Sequence, residues 1–493
     1  MEHTRRPGHN VPDLSASKSN GELLPSKKCA CIVNSVKNRL VDALKKSTAD
    51  YAEIRFETSD GNHLGFRGRE MEDMSSARTS GGIVRACTKG GWGMAVFDSP
   101  DDLEAQVAEA CRCAALVGKE KTQLAQTAPV QADVTAKLKR DFRGIALDEK
   151  IALVSRYNDI ILGANPSIES SNVGYVDRFR TVWFASTTGT CFMEERPRIT
   201  MYLSATARKG DLVQNGFESI SSITDYGAVL NKEGLAGIAA QRAGDLLNAP
   251  QAQGGPHTVI LDPAMAGVFA HEAFGHLSEA DFLYENDKMR ELMHVGKKIG
   301  VPGLNIVDDG SIAGLSGTQS FDDEGTPTQK TYLIKEGVLS GHLHSLETAG
   351  KMGAKPTGNA RAIGKGRAPI VRMTNTYIEG GKSSFEELIA GVDDGVYACD
   401  MVGGMTAMEM FTFSAAYGYR IEKGKIGPLM RDITLTGNVF ETLQAIDGFG
   451  NDFKMIERGG GCGKGGQSPL PVTFGSPHIR IRNVVIGGRK RGG

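Results

Sequence analysis

The chain has 493 residues, 40% of them hydrophobic, enough to bury more than one core. Its 57 basic and 58 acidic residues leave a formal charge of −1, which gives no electrostatic reason to bind nucleic acid or an anionic membrane surface. No run reaches the roughly 20 apolar residues that a membrane-spanning helix needs, so no membrane partner is expected.

The first 28 residues, with Arg5, Arg6, Pro7, Pro12 and several serines, lack the apolar segment and cleavage signal of an export leader. A disordered tail is expected over 1–33, and the basic end "GGRKRGG" reads as another. "VNSVKNRLVDALKKS" (33–47) has helical apolar spacing. "YAEIRFETSDGNHLGFRGREMEDMSSA" alternates around Asp60-Gly61 and predicts a hairpin turning there. A second hairpin with a Gly-rich turn is predicted over 81–97, then helices over 101–117 and 147–163 with a polar segment between them. Residues 175–219 read as antiparallel strands turning at Thr188-Gly189 and Lys209-Gly210-Asp211. The Ala-rich run 234–249 predicts a helix, and "NAPQAQGGP" a domain linker. Beyond it, "HTVILDP" is a short strand leading into another helix. "TYLIKEGVLSGHLHS" is a hairpin turning at Glu336-Gly337, and further strands, a helix and the strand "IRIRNVVIGG" close the chain. The expected fold class is α+β, with two domains (34–250 and 251–493) of largely antiparallel β-sheets flanked by helices.

Eight cysteines in so long a chain do not make a disulfide scaffold. Cys29-Ala30-Cys31 and Cys111-Arg112-Cys113 are C-x-C pairs, not the C-x-x-C of zinc ribbons or redox sites. A reducing, cytoplasmic location is expected. The chemistry concentrates in "VFAHEAFGHLSEADF" (268–282), where His271, Glu272 and His276 stand in an apolar run. The zinc-peptidase signature H-E-x-x-H sets its histidines four apart on one helical face. Here they are five apart, which on a straight helix turns them about 140° away from each other. A π-bulge, or a helix ending near Gly275, would bring both rings to one point. Two satisfied core histidines are the competing reading, but Glu272 would then need a buried partner of its own.

A catalytic zinc takes three protein ligands and leaves one position open. Glu279, Asp281, His294 and a distant residue are candidates for the third. The distant one is Cys462 in "RGGGCGKGGQ", where six of the eight residues from 459 to 466 are glycine. That loop is not a phosphate loop, because Arg458 stands at the first glycine position and Gly465 follows Lys464. Spacing alone does not choose among these four candidates.

The segments "YAEIRFE", "GGIVRACTKGGWGMA", "ERPRITMYLSA", "HEAFGHLSEADF", "FDDEGTPTQKTYLIKEGVLSGHLHS", "PTGNARA", "PIVRMTNTYIEGG", "FSAAYGYRIEKGKIG" and "GCGKGGQ" resemble the TldD branch of the TldD/PmbA family of modulator-type metallopeptidases. The resemblance runs from about residue 34 onward. PmbA-type members lack the histidine motif, so the motif here implies the catalytic branch. After His276 the chain reads Leu277-Ser278-Glu279-Ala280-Asp281, where a common family variant reads Gly-Leu-Glu-Gly-Asp. The resemblance implies a metallopeptidase for unfolded or small peptides, with zinc (Zn²⁺) on His271, His276 and Cys462 and Glu272 as general base. It also implies a homodimer or a heterodimer with a PmbA-like subunit. The alternative is a non-catalytic, zinc-containing peptide-binding chaperone or adaptor subunit.

Overall fold

The structure is a computed structural model and describes residues 27–120 and 123–487. The expected tail over 1–33 falls mostly outside these residues, as does "GRKRGG" at the end. The first helix, α1 (Lys27–Leu44), begins earlier than the Val33 expected from periodicity.

Seven strands build the first sheet: β1 (Tyr51–Arg67), β2 (Glu70–Thr88), β3 (Gly91–Phe97), β4 (Gln131–Val134), β5 (Ile168–Ser186), β6 (Cys191–Lys209) and β7 (Leu212–Ser222). Their order is β3-β2-β1-β5-β6-β4, with β7 also paired to β6. Most neighbours are antiparallel, joined by the tight turns read from the sequence. One predicted turn is wrong. The chain runs straight through Asp60-Gly61 and turns at Gly68, whose φ of 56° suits glycine. Gly61 marks a close approach instead, since a Cβ there would lie 2.3 Å from the Asp177 carbonyl of β5.

Helices α2 (Leu103–Val117), α3 (Leu147–Gly163) and α4 (Glu233–Leu246) pack on this sheet through buried apolar stripes. Beyond α4, β8 (Gly255–Leu261) enters a second sheet between strands Asp394–Ala407 and Ile479–Gly487. Strands Thr434–Asn438 and Met410–Glu422 continue it, and Met410–Glu422 pairs back onto Asp394–Ala407, so these five strands close on themselves. A six-stranded sheet that includes Ile306–Asp309, Asn375–Ile378 and Thr473–Ser476 lies beside them. The largest apolar core fills this half and includes Phe269, Phe274 and Met373. The fold is α+β with largely antiparallel sheets, as expected. No helix among the described residues is long and apolar enough to cross a membrane.

Candidate metal centre

β8 leads directly into the helix α5 (Pro263–Phe269). The Asp262 carboxylate accepts the Met265 N–H at 2.7 Å and Pro263 takes the first helical position, two signals that start a helix here. At Ala270–Gly275 the helix widens into a π-turn. The His276 N–H donates to the carbonyl of His271, five residues back. This one wide turn cancels the angular divergence that a five-residue spacing imposes, and the two ring centroids come to 5.4 Å with planes at 80°. Gly275 has an ordinary helical φ of −58°, so its backbone freedom is not used. Packing selects the glycine, because a Cβ there would lie 2.0 Å from the Met373 sulfur.

Cys462 opens a short hairpin strand, and its Sγ lies 3.2 Å from His276 Nε2. The loop before it is pinned at almost every residue. Arg458 pairs with Asp400, the Gly459 N–H donates to Ser219 Oγ at 3.1 Å, and Arg198 donates to the Gly460 carbonyl at 2.8 Å. Gly461 has no room for a side chain, as its Cβ would sit 2.4 Å from the Leu470 carbonyl. The buried Arg372 donates to the Cys462 carbonyl at 2.6 Å. One candidate ligand atom from each of His271, His276 and Cys462 lies within 4.8 Å of the others. Ligands sharing one zinc at about 2.0–2.3 Å stand roughly 3.3–3.8 Å apart, so modest side-chain movement closes the set. The Nδ1 of His271 is buried with no hydrogen-bond partner. Two imidazoles and a thiol form a donor set that zinc accepts, and the residues fit the ion.

The other candidates take different places. Glu279 is fully buried, with Oε2 2.9 Å from His276 Nδ1 and 3.0 Å from Lys464 Nζ. Lys464 also donates to Asp281 at 2.6 Å and to the Val371 carbonyl at 2.8 Å. His294 is exposed, beside a cavity lined by His342 and His344. Glu272 points a carboxylate oxygen to within 3.7 Å of His276 Nε2, and its side chain is 24% exposed where His271 and Cys462 are 3% exposed. Lys464, Arg372 and Met373 carried no sequence signal for this site, whereas Glu279 was visible through its three-residue spacing from His276.

Charges in the cluster lean on one another. Burial opposes ionisation of Cys462, but the adjacent His271 and His276 outweigh it and bring the thiol down to about 5. Burial likewise disfavours a charged His276, yet Glu279 and Cys462 push it up to about 11. His271 is raised in the same way, with Cys462 and then Glu272 overcoming burial. Glu279 is held low against its burial by His276 and Lys464, while Asp281 is raised chiefly by burial. Without metal these charges favour a thiolate beside a protonated His276, with His271 shifted in the same direction. Metal uptake would displace the proton from His276.

Three family models match in sequence along the chain: PmbA/TldA metallopeptidase domain 1 over residues 52–116, the central domain over 140–247 and the C-terminal domain over 254–488. The chain belongs to the TldD/PmbA family. A metalloprotease of Synechocystis sp. is 44% identical to it, over 90% of this chain and 96% of its own length. A zinc metalloprotease TldD homolog of Saccharolobus solfataricus is 29% identical over 89% and 97%. Among solved structures, TldE from Thermococcus kodakarensis matches with a TM-score of 0.73 at 21% identity, covering 92% of this chain and all of that one. A putative modulator of DNA gyrase from Thermotoga maritima matches at 0.74 and 22%, over 92% and 100%. These two share the TldD/PmbA fold.

Proposed function

We propose that this family member is a zinc-dependent metallopeptidase that hydrolyses unfolded or small peptides, with His271, His276 and Cys462 as ligands and Glu272 as general base. The observation that carries the reading is the convergence of two imidazoles and a thiol with a partly exposed carboxylate beside them. Zinc bound there would supply Lewis acidity toward a peptide carbonyl and an attacking water. Glu272 accepts the proton of that water and passes it to the leaving amine. Its partial exposure, like that of His276, admits water, while His271 and Cys462 stay buried. Glu279 accepts from His276 Nδ1, fixing the ring so that Nε2 faces Cys462, and Lys464 holds Glu279 in turn.

Strand Asp394–Ala407 packs against the π-turn. It pairs with β8 only over Gly395–Ala398, so beyond Ala398 its sole strand partner among the described residues is Met410–Glu422. An extended peptide adds to such an edge through backbone hydrogen bonds, with little sequence demand. At the tip of that hairpin Val402, Met405, Met408 and Met410 are exposed, which supports assembly as a homodimer or with a PmbA-like subunit. A cytoplasmic location completes the proposal. The adaptor alternative calls for a structural zinc, which takes four protein ligands. Among the described residues no fourth histidine, cysteine or carboxylate joins the group.

The test is a pair of variants assayed for zinc content and for cleavage of an unstructured peptide. Glu272→Gln should lose about 10²–10⁴-fold in rate while keeping its zinc, because only the base is removed. Cys462→Ala should lose both metal and activity. Near-normal cleavage by Glu272→Gln would overturn the mechanism, and loss of its zinc would move the adaptor reading ahead.

A further inference from the structure

Two arginines of the N-terminal sheet stand opposite each other, and among the described residues neither is hydrogen-bonded or ion-paired to an acid. In the antiparallel pairing of β5 and β6, Arg178 faces Arg198 and Arg180 faces Arg196, all four on one side of the sheet. The second pair is neutralised: Arg180 donates to Glu57 at 2.9 Å, and Arg196 to Glu194 and Asp323. The first pair is not. Arg178 makes no hydrogen bond or ion pair among the described residues, and Arg198 donates only to neutral oxygens, Ser221 Oγ and the Gly460 carbonyl. Like charges directly opposite on neighbouring strands destabilise a sheet. Burial first, then Arg180, lower the Arg178 guanidinium against the opposing pull of Glu57; burial also lowers Arg198, with Arg178 adding to it against Tyr202 and Glu457. The nearby acids are engaged elsewhere, Glu57 by Arg180 and Glu457 by Ser316 and Thr473.

The location gives this pair a use. Gly460, which Arg198 holds, precedes Cys462 by two residues, a chain reach of about 7 Å. Arg178 lines a cleft of about 240 Å³ whose walls also carry Glu57, Asp177, Arg180 and Lys365. Glu57 pairs with Arg180, Asp177 with Lys150 and Lys365 with Asp98, which leaves Arg178 without an ion pair among the described residues there. We propose that Arg178 and Arg198 form a carboxylate-binding subsite beside the metal centre, which takes the C-terminal carboxylate or an acidic side chain of a bound peptide. This rests on the peptidase reading and says which peptides it favours. A guanidinium pair suits a carboxylate because its forked N–H groups match the two oxygens.

The test measures binding, not turnover, on the full-length Glu272→Gln chain by fluorescence anisotropy. The probes are a labelled unstructured decapeptide with a free C-terminus, its C-terminal amide, and amidated versions carrying glutamate or glutamine inside. The free acid should bind about tenfold tighter than its amide if the terminus is the source, and the glutamate version tighter than the glutamine version if a side chain is. Arg178→Gln should abolish whichever preference is found, and raised ionic strength should weaken it in the chain with Arg178 intact. Replacing Arg178 breaks no hydrogen bond or ion pair among the described residues, and Arg178→Lys should keep part of the preference. Equal binding of all four peptides, or a preference untouched by Arg178→Gln, would overturn the subsite. Failure of the unsubstituted chain to cleave any of them would count against the peptidase reading while leaving the binding preference measurable.

Discussion

A thiol 3.2 Å from one imidazole and beside a second ionises more readily in the folded chain than in the unfolded one. Cys462 falls from its ordinary 9 to about 5, so between those values the unfolded chain binds more protons and stability rises with pH. That contribution is whole above 9 and lost as the pH falls through about 5. His276 runs the other way: raised from 6.5 to about 11, it contributes fully below 6.5 and is lost as the pH climbs through 11. Below 6.5, then, the histidine term is constant and the thiol's is not. Metal-stripped protein should gain melting temperature between about pH 5 and 6.5, and Cys462→Ala should gain less over the same window. Thermal melts in chelator check this, and an equal gain in both proteins would show that Cys462 is not ionised in the metal-free chain.

At the scale of the element, the π-turn is held by packing on both sides. Ser278 Oγ donates to the Phe274 carbonyl at 3.0 Å, the Leu343 N–H donates to the Ser278 carbonyl, and Met373 fills the space that Gly275 leaves. Gly275→Ala should cost about 1–3 kcal/mol by overpacking, read from urea unfolding, and should lower zinc content by displacing His276. Adding Met373→Ala should restore part of the zinc, because it reopens that space. The irregularity itself was legible, since five-residue spacing admits no straight helix with both rings on one point. The reason for Gly275 was not, because Met373 reaches it only through the tertiary fold. Asp60-Gly61 misled in the same way: a turn dipeptide in local terms, it is a contact between β1 and β5 in the structure.

Across the whole molecule, the centre is assembled from both halves of the chain. Arg198 and Ser219 of the first sheet pin the loop that presents Cys462, and buried pairs such as Arg85–Glu324 at 3.0 Å and Arg196–Asp323 at 2.8 Å tie that sheet to the segment 321–326. Hairpins, helices and the histidine motif were legible because each is a local pattern. The anchors of the loop before Cys462 were not, as Arg198 lies 262 residues before the Gly460 that it holds. What the assembled centre binds is measured most directly by zinc-edge X-ray absorption on the purified protein. The account predicts one sulfur near 2.3 Å, two imidazole nitrogens near 2.0–2.1 Å and one oxygen from solvent. A shell without sulfur, or one with four protein ligands, would contradict it.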